Sequence, residues 1–134
     1  MLRCVLSVWL LSACITAAAA PKIKIIGIIV NANGEVYIGR DTIGVSDLAA
    51  EIQNRLWKSY LGTDKMYDSI KIEFRGEVLM GTRGAALDAV KLAQKNALTD
   101  ICLQKYKRLF ENCSSLQQKK IRKQFPVLFQ ELHW

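Results

Sequence analysis

Residues 23–39 read IKIIGIIVNANGEVYIG. Ile23, Ile25, Ile26, Ile28, Ile29 and Val30 form a β-branched run broken only by Lys24 and Gly27, and such residues favour extended backbone. Asn31-Ala32-Asn33-Gly34 comes next as a turn signal, because Asn and Gly tolerate positive φ at little cost. Glu35-Val36-Tyr37-Ile38-Gly39 then resumes the apolar–polar alternation. Two such runs across an Asn-Gly turn predict a β-hairpin.

Working outward, Ser46 is placed to cap a helix, and Asp47 in its first turn suits the positive end of the helix dipole. Leu48, Ile52 and Leu56, with Ala49 and Tyr60 beside them, make an apolar stripe at helical spacing, with Trp57 at its margin. Gly62 ends this helix. Ser69 to Phe74 alternates Ile70, Ile72 and Phe74 against Lys71 and Glu73, as a strand with one buried face does. Arg75-Gly76-Glu77 turns the chain, and Val78-Leu79-Met80 reads as a short strand. Gly81-Thr82 opens a second helix, Arg83 to Lys95, with Ala86, Val90, Ala93 and Ala97 in register and Asn96 at a left-handed C-cap. Ile101-Cys102-Leu103 reads as the last strand. The expected fold is α+β: a two-layer sandwich ordered β-hairpin–α–β–β–α–β, with two helices on one face of a small mixed sheet. The stretch 21–104 is the domain. Residues 105–134 are a basic C-terminal extension, helical over Leu116–Gln124 and closed by Pro126.

The N-terminus carries a different signal. Met1-Leu2-Arg3 gives a positive start, Cys4 to Ala20 is uncharged, and Ala17 to Ala20 supplies a small-residue exit. Residues 1–20 are read as a secretory or lipoprotein signal, with an uncleaved anchor as the variant, since the stretch falls short of the ~20 apolar residues that span a bilayer. Leu11-Ser12-Ala13-Cys14 matches a bacterial lipobox, which makes Cys14 the lipidation site; otherwise cleavage falls among Ala18 to Ala20. Export also governs Cys102 and Cys113, an even pair that an oxidising compartment permits to join as a disulfide. The other reading leaves them as two unpaired thiols, with Cys102 packed as a small hydrophobe.

The 134 residues carry a net charge of +7. Basic chains bind nucleic acid, anionic lipid or acidic polymers, and export argues against nucleic acid. Lys119, Lys120, Arg122 and Lys123 are the candidate contacts for an anionic lipid or wall polymer, weighed against a plain solvated helix face. No catalytic, cofactor or metal site is read: His133 is the only histidine, and no GxSxG, HExxH, CxxC or Gly-rich phosphate loop occurs. Asn112-Cys113-Ser114 fits a glycosylation acceptor, a triplet that arises easily by chance.

Several strings, taken in order, resemble the periplasmic domain of the ExbD/TolR biopolymer-transport family. They are Asn33-Gly34-Glu35-Val36-Tyr37-Ile38 (a hairpin), Ser46-Asp47-Leu48 (a helix start), Ile70-Lys71-Ile72 with Gly76-Glu77-Val78 and Gly81, Leu87-Asp88-Ala89-Val90-Lys91, and Leu98-Thr99-Asp100-Ile101 (the entry to the last strand). Leu116 to Lys123 with Phe125-Pro126 resembles the extension of longer-tailed members. The resemblance implies a non-enzymatic, membrane-attached periplasmic binding module of a proton-motive-force-coupled transport complex in a bacterial envelope. Its implied partners are an ExbB/TolQ-like channel subunit or a TonB/TolA-like protein, with a homodimer as a further association. Two departures bear on mechanism. Family members carry a transmembrane helix with an essential aspartate, whereas Cys4 to Ala20 holds no Asp or Glu; an ionisable group within a bilayer is costly and normally functional. Leu79 and Met80 also stand where the family has Pro-Tyr.

The lipobox reading predicts a mature chain beginning at a lipid-modified Cys14. Intact-mass measurement of membrane-extracted protein checks it, and an unmodified terminus at Ala19 or Ala20 would refute it.

Overall fold

The computed structural model describes residues 22–62 and 65–133; Cys14 and the rest of the stretch read as a signal lie outside them. The expected hairpin is formed by β1 (Ile25–Asn31) and β2 (Glu35–Ile38), antiparallel, with Val30 opposite Val36 and Ile28 opposite Ile38. At its turn Gly34 takes a φ of 78° and donates its N–H to the Asn31 carbonyl at 3.1 Å. The Asn31 side-chain oxygen accepts from the main-chain N–H of Asn33 and of Glu35, so the turn residue hydrogen-bonds the backbone it redirects.

A third strand, β3 (Asp41–Gly44), pairs antiparallel with β2 across Gly39-Arg40. Gly39 has a φ of 61°, the conformation a glycine supplies at the first central position of a tight hairpin turn. β3 runs straight into α1 (Val45–Leu61). The helix boundary is therefore Gly44, and Ser46, expected as the cap, sits inside the first turn instead. The apolar stripe is where its spacing placed it: Leu48, Ile52 and Leu56 are fully buried. Trp57 packs at the margin against Tyr60, ring centroids 5.6 Å apart. β4 (Ser69–Arg75) then returns parallel to β1, giving a four-stranded mixed sheet of order β3-β2-β1-β4.

Beyond β4 the element order differs from the expectation. Val78-Leu79-Met80 is not a strand; Leu79 is the N-cap of α2 (Met80–Tyr106), whose first turn is closed by the Arg83 N–H on the Leu79 carbonyl. Nor is Ile101-Cys102-Leu103 a strand, because α2 continues through it. Ala86, Val90, Ala93, Ala97 and Ile101 recur every three or four residues and are all fully buried, so the apolar face persists one turn after another. No Gly or Pro interrupts it after Gly84. Asn96 is an interior helix residue, its side chain donating to Gln53 on α1 at 3.3 Å. The left-handed cap falls at Lys107, φ 58°.

The stretch from residue 105 is likewise not an appendage, and the 104/105 division lies within α2. After a 3-10 turn at Phe110–Asn112, α3 (Ser115–Gln124) opens with a reciprocal cap. Ser114 Oγ accepts from the Gln117 N–H, and the Gln117 side chain accepts from the Ser114 N–H. Ile121 and Val127 are fully buried, and Phe125 and Leu128 nearly so, in the same cluster as the sheet. That cluster gathers Ile26, Ile28 and Val30 of β1, Val36 and Ile38 of β2, and Ile70 of β4 under α1 and α2. The chain is thus a two-layer α+β fold with one sheet face covered by helices.

Truncating Leu56 or Ile121 to Ala removes a filled position and leaves a cavity, at a cost of ~2–5 kcal/mol each. The exposed Lys58→Ala should stay within ~0.5 kcal/mol of the parent. Chemical denaturation of the three variants measures this, and a small loss for Ile121→Ala would mean that the C-terminal part is not integral.

Candidate functional site

With α1 and α2 on one side, the other sheet face is open. Ile25, Gly27 and Ile29 of β1 point there, flanked by Tyr37 of β2 and by Lys71, Glu73 and Arg75 of β4. Ile25 is about half exposed and Ile23, just before it, more so. A shallow hollow of ≈ 440 Å³ lies among Ile29, Asn31, Tyr37, Gly39 and Arg75. The Tyr37 hydroxyl donates to the Glu35 carboxylate, which, with some burial, raises its pKa above the usual phenol value.

The two sheet edges are unlike. β3 has four residues and ends in a helix, which blunts it. β4 has seven, and main-chain groups of alternate residues face away from β1. At Ile70 these groups are occupied: the Gln130 side chain accepts from the Ile70 N–H and donates to the Ile70 carbonyl, both at 2.8 Å. One side-chain amide therefore makes the pair of bonds a neighbouring strand would make. Gln130 is held in turn through its own carbonyl, which with that of Val127 accepts from Gln94 Nε2 on α2, at 3.1 and 2.8 Å. Ile72 and Phe74 repeat the geometry of Ile70 along the strand, yet among the described residues nothing bonds their outward N–H and C=O groups. Beside this stretch Arg83 stacks on Phe74 at 5.1 Å, and Leu79 and Met80 are about 70% exposed. The Glu73–Arg75 ion pair, 3.2 Å, and Lys71 place charge along the same strand.

A cleft of ≈ 310 Å³ opens where α1 and β4 meet α3, near Ser59, Tyr67, Asp68 and Phe125. Its polar groups are spent on structure. Asp68 accepts from the Lys24 N–H at 2.8 Å and pairs with Lys65 at 2.9 Å; these contacts, the Lys24 bond foremost, hold its carboxyl below the ordinary aspartate value. Lys24 Nζ reaches Ser59 Oγ and the Lys65 carbonyl and lies 4.5 Å from the Tyr67 ring centre. An ionised, fully bonded carboxylate is poorly suited to general acid–base work. Among the described residues no group of three His, Cys, Asp or Glu side chains converges as a metal site would require, and no helix is long and apolar enough to cross a membrane.

The other candidates from the sequence separate clearly. Cys102 and Cys113, read either as a disulfide or as two unpaired thiols, both stand as free thiols buried in the core cluster. Lys119, Lys120 and Lys123 stand exposed on α3. Arg122, exposed as well, lays its guanidinium over Phe110 and Phe129, at 5.3 and 4.6 Å from the ring centres, and so braces the C-terminal segment. Gln94 and Gln130 are not marked by any motif. Gln94 leaves a faint signal as the lone polar residue on an Ala-rich helix face; Gln130 leaves none. Compared with protein-family models, curated proteins and solved structures, the chain matches none.

The edge geometry predicts that the Ile70 amide exchanges slowly with solvent while those of Ile72 and Phe74 exchange fast. Gln130→Ala should speed Ile70 exchange by roughly tenfold or more, the loss of about one well-made hydrogen bond. Residue-resolved hydrogen exchange reads this, and protection at Ile72 equal to that at Ile70 would contradict a free edge.

Proposed function

We propose that this chain is a non-enzymatic binding module of a bacterial envelope, membrane-attached on the periplasmic side, that receives an extended segment of a partner protein along the outer edge of β4. The observation that carries this reading is the stretch from Ile72 to Phe74, where outward main-chain groups lack partners among the described residues, beside a position that a side-chain amide already pairs as a strand would. Strand addition gives affinity through backbone bonds and takes specificity from neighbouring side chains. Leu79, Met80 and the Arg83–Phe74 stack offer such neighbours. The charges of Lys71, Glu73 and Arg75 disfavour indiscriminate edge pairing.

The resemblance to ExbD/TolR proteins supports the same reading and proposes the partner class: an ExbB/TolQ-like channel subunit or a TonB/TolA-like protein of a biopolymer-transport complex. Proton transfer is not proposed for this chain, because residues 4–20 contain no carboxylate. A second reading, binding of anionic lipid or wall polymer, draws on the exposed Lys119, Lys120 and Lys123 of α3.

Ile72→Pro separates the two. Its N–H faces away from β1, so the β1–β4 ladder keeps its bonds while the edge loses a donor. In co-purification from cross-linked envelopes, recovery of the partner by the full-length chain should fall roughly tenfold or more with Ile72→Pro. It should persist when Lys119, Lys120 and Lys123 are all changed to Glu. Unchanged recovery by a cooperatively folded Ile72→Pro variant would overturn the edge reading. Loss only on charge reversal, with steep salt dependence, would favour the electrostatic one.

A further inference from the structure

We propose that the segment received along β4 carries side chains in the order acid–apolar–base–apolar–acid, with its acids opposite Lys71 and Arg75 and its base opposite Glu73. The inference rests on the reading of β4 as a receiving edge and names the chemistry of what that edge takes. Along β4 the side chains alternate: Ile70, Ile72 and Phe74 face the helices, while Lys71, Glu73 and Arg75 stand exposed on the open face. Ile70 bonds outward through both its N–H and its C=O, and Ile72 and Phe74 share its phase on the strand. An added antiparallel strand therefore makes its hydrogen-bonded pairs at Ile72 and Phe74. Lys71, Glu73 and Arg75 fall at the non-hydrogen-bonded positions, where facing Cα atoms come closest, roughly 4.5 Å apart. The three charges thus sit where cross-strand side chains are nearest, and like charges set opposite one another there oppose pairing.

These charges are available to a partner. Among the described residues Glu73 and Arg75 pair only with each other, both at least half exposed, an arrangement that water and salt weaken. Lys71 has no ion-pair partner among the described residues. The length of the segment is bounded as well. Gln130 holds the outward groups of Ile70 at one end, and at the other the chain turns at Gly76, φ 77°. Five positions remain, those opposite residues 71 to 75. The two apolar residues of the segment, opposite Ile72 and Phe74, point to the helical side, where Leu79 and Met80 are exposed and Arg83 lies over the Phe74 ring.

A second copy of the chain does not meet this demand, because β4 itself reads base–apolar–acid–apolar–base. Antiparallel pairing about Glu73 sets that residue on its own counterpart and Lys71 on Arg75, like charge on like. Pairing about Ile72 brings Lys71 opposite Glu73, but Phe74 then falls opposite Ile70, whose groups Gln130 holds. Pairing about Phe74 sets Ile72 opposite Gly76, where the strand has ended. Each shifted register keeps a single hydrogen-bonded residue pair. The complementary order avoids both faults, and it reads the same from either end.

Two end-blocked pentapeptides of one composition, Glu-Val-Lys-Val-Glu and Glu-Val-Glu-Val-Lys, are titrated to millimolar concentration into full-length, isotope-labelled protein at low salt. The amide shifts of Ile72 and Phe74 report binding. The peptides have the same net charge, so the basic surface of the protein attracts them alike. The first answers all three charges of β4; the second, in either direction, sets two like charges against them. The first should bind roughly fivefold or more tightly, the difference shrinking as salt is added. Glu73→Lys, at an exposed position, should abolish the difference, because each peptide then meets two opposite charges and one like charge. Equal affinities at the unaltered edge, or a difference that survives Glu73→Lys, would overturn the inference and leave the edge reading standing. Amides of Ile72 and Phe74 that respond to neither peptide would overturn the edge reading and the inference with it.

Discussion

Because β1 is paired on both sides, antiparallel to β2 and parallel to β4, the alternation of its side chains fixes the facing of the whole sheet. Ile26, Ile28 and Val30 point one way, and each draws a partner of the same facing from its neighbours: Ile38 and Val36 on β2, Ile70 on β4. A slip of one residue in either pairing would turn those partners out to solvent. The parallel pairing carries a further constraint, since a parallel neighbour needs a long crossover, and α1 is that crossover. Its stripe of Leu48, Ile52 and Leu56 must then meet the face that β1 defines. The second layer is a consequence of the pairing of one strand.

Legibility in the sequence divides along the same line. The hairpin and the α1 stripe rest on local patterns, an Asn-Gly turn between β-branched runs and a helical repeat, and both form where those patterns lie. β3 has no such pattern: Asp41-Thr42-Ile43-Gly44 carries one large apolar residue, and its pairing is imposed by the tight turn at Gly39. Ile101-Cys102-Leu103 is ambiguous because a short apolar run fits a buried strand and a buried helical turn equally. The unbroken Ala86–Val90–Ala93–Ala97 repeat leading into it decides for the helix. The basic composition of the C-terminal segment suggests a peripheral element, although Lys119, Lys120 and Lys123 lie on the outer side of α3 while Ile121 faces inward.

The edge of β4 is legible least. Its free groups are main-chain atoms, which every residue carries alike, so no side-chain pattern announces them. Gln130 is sixty positions from Ile70 in sequence and becomes visible only when folding brings its amide against the strand. Gln94, which holds the segment bearing Gln130, stands out only as a polar residue where the helix face calls for an apolar one. A hydrogen bond exchanged with water gains little net energy, but a buried amide left alone costs more. Gln94 is therefore kept by the carbonyls it satisfies.

These features share one cause. Continuing α2 through Ile101 and Cys102 uses for a helix the residues that resemble the entry to a last strand. A strand there would have been free to cover β4; as a helix, those residues cannot, and the far side of β4 is left to a single glutamine at Ile70 and to nothing among the described residues beyond it. The same continuation turns Cys102 inward on the helix face, into the cluster that also holds Cys113. An open β4 edge and an inward-facing Cys102 are thus two outcomes of one choice of helix over strand near residue 101. That choice is made by the small, regularly spaced apolar residues preceding it rather than by the three residues themselves.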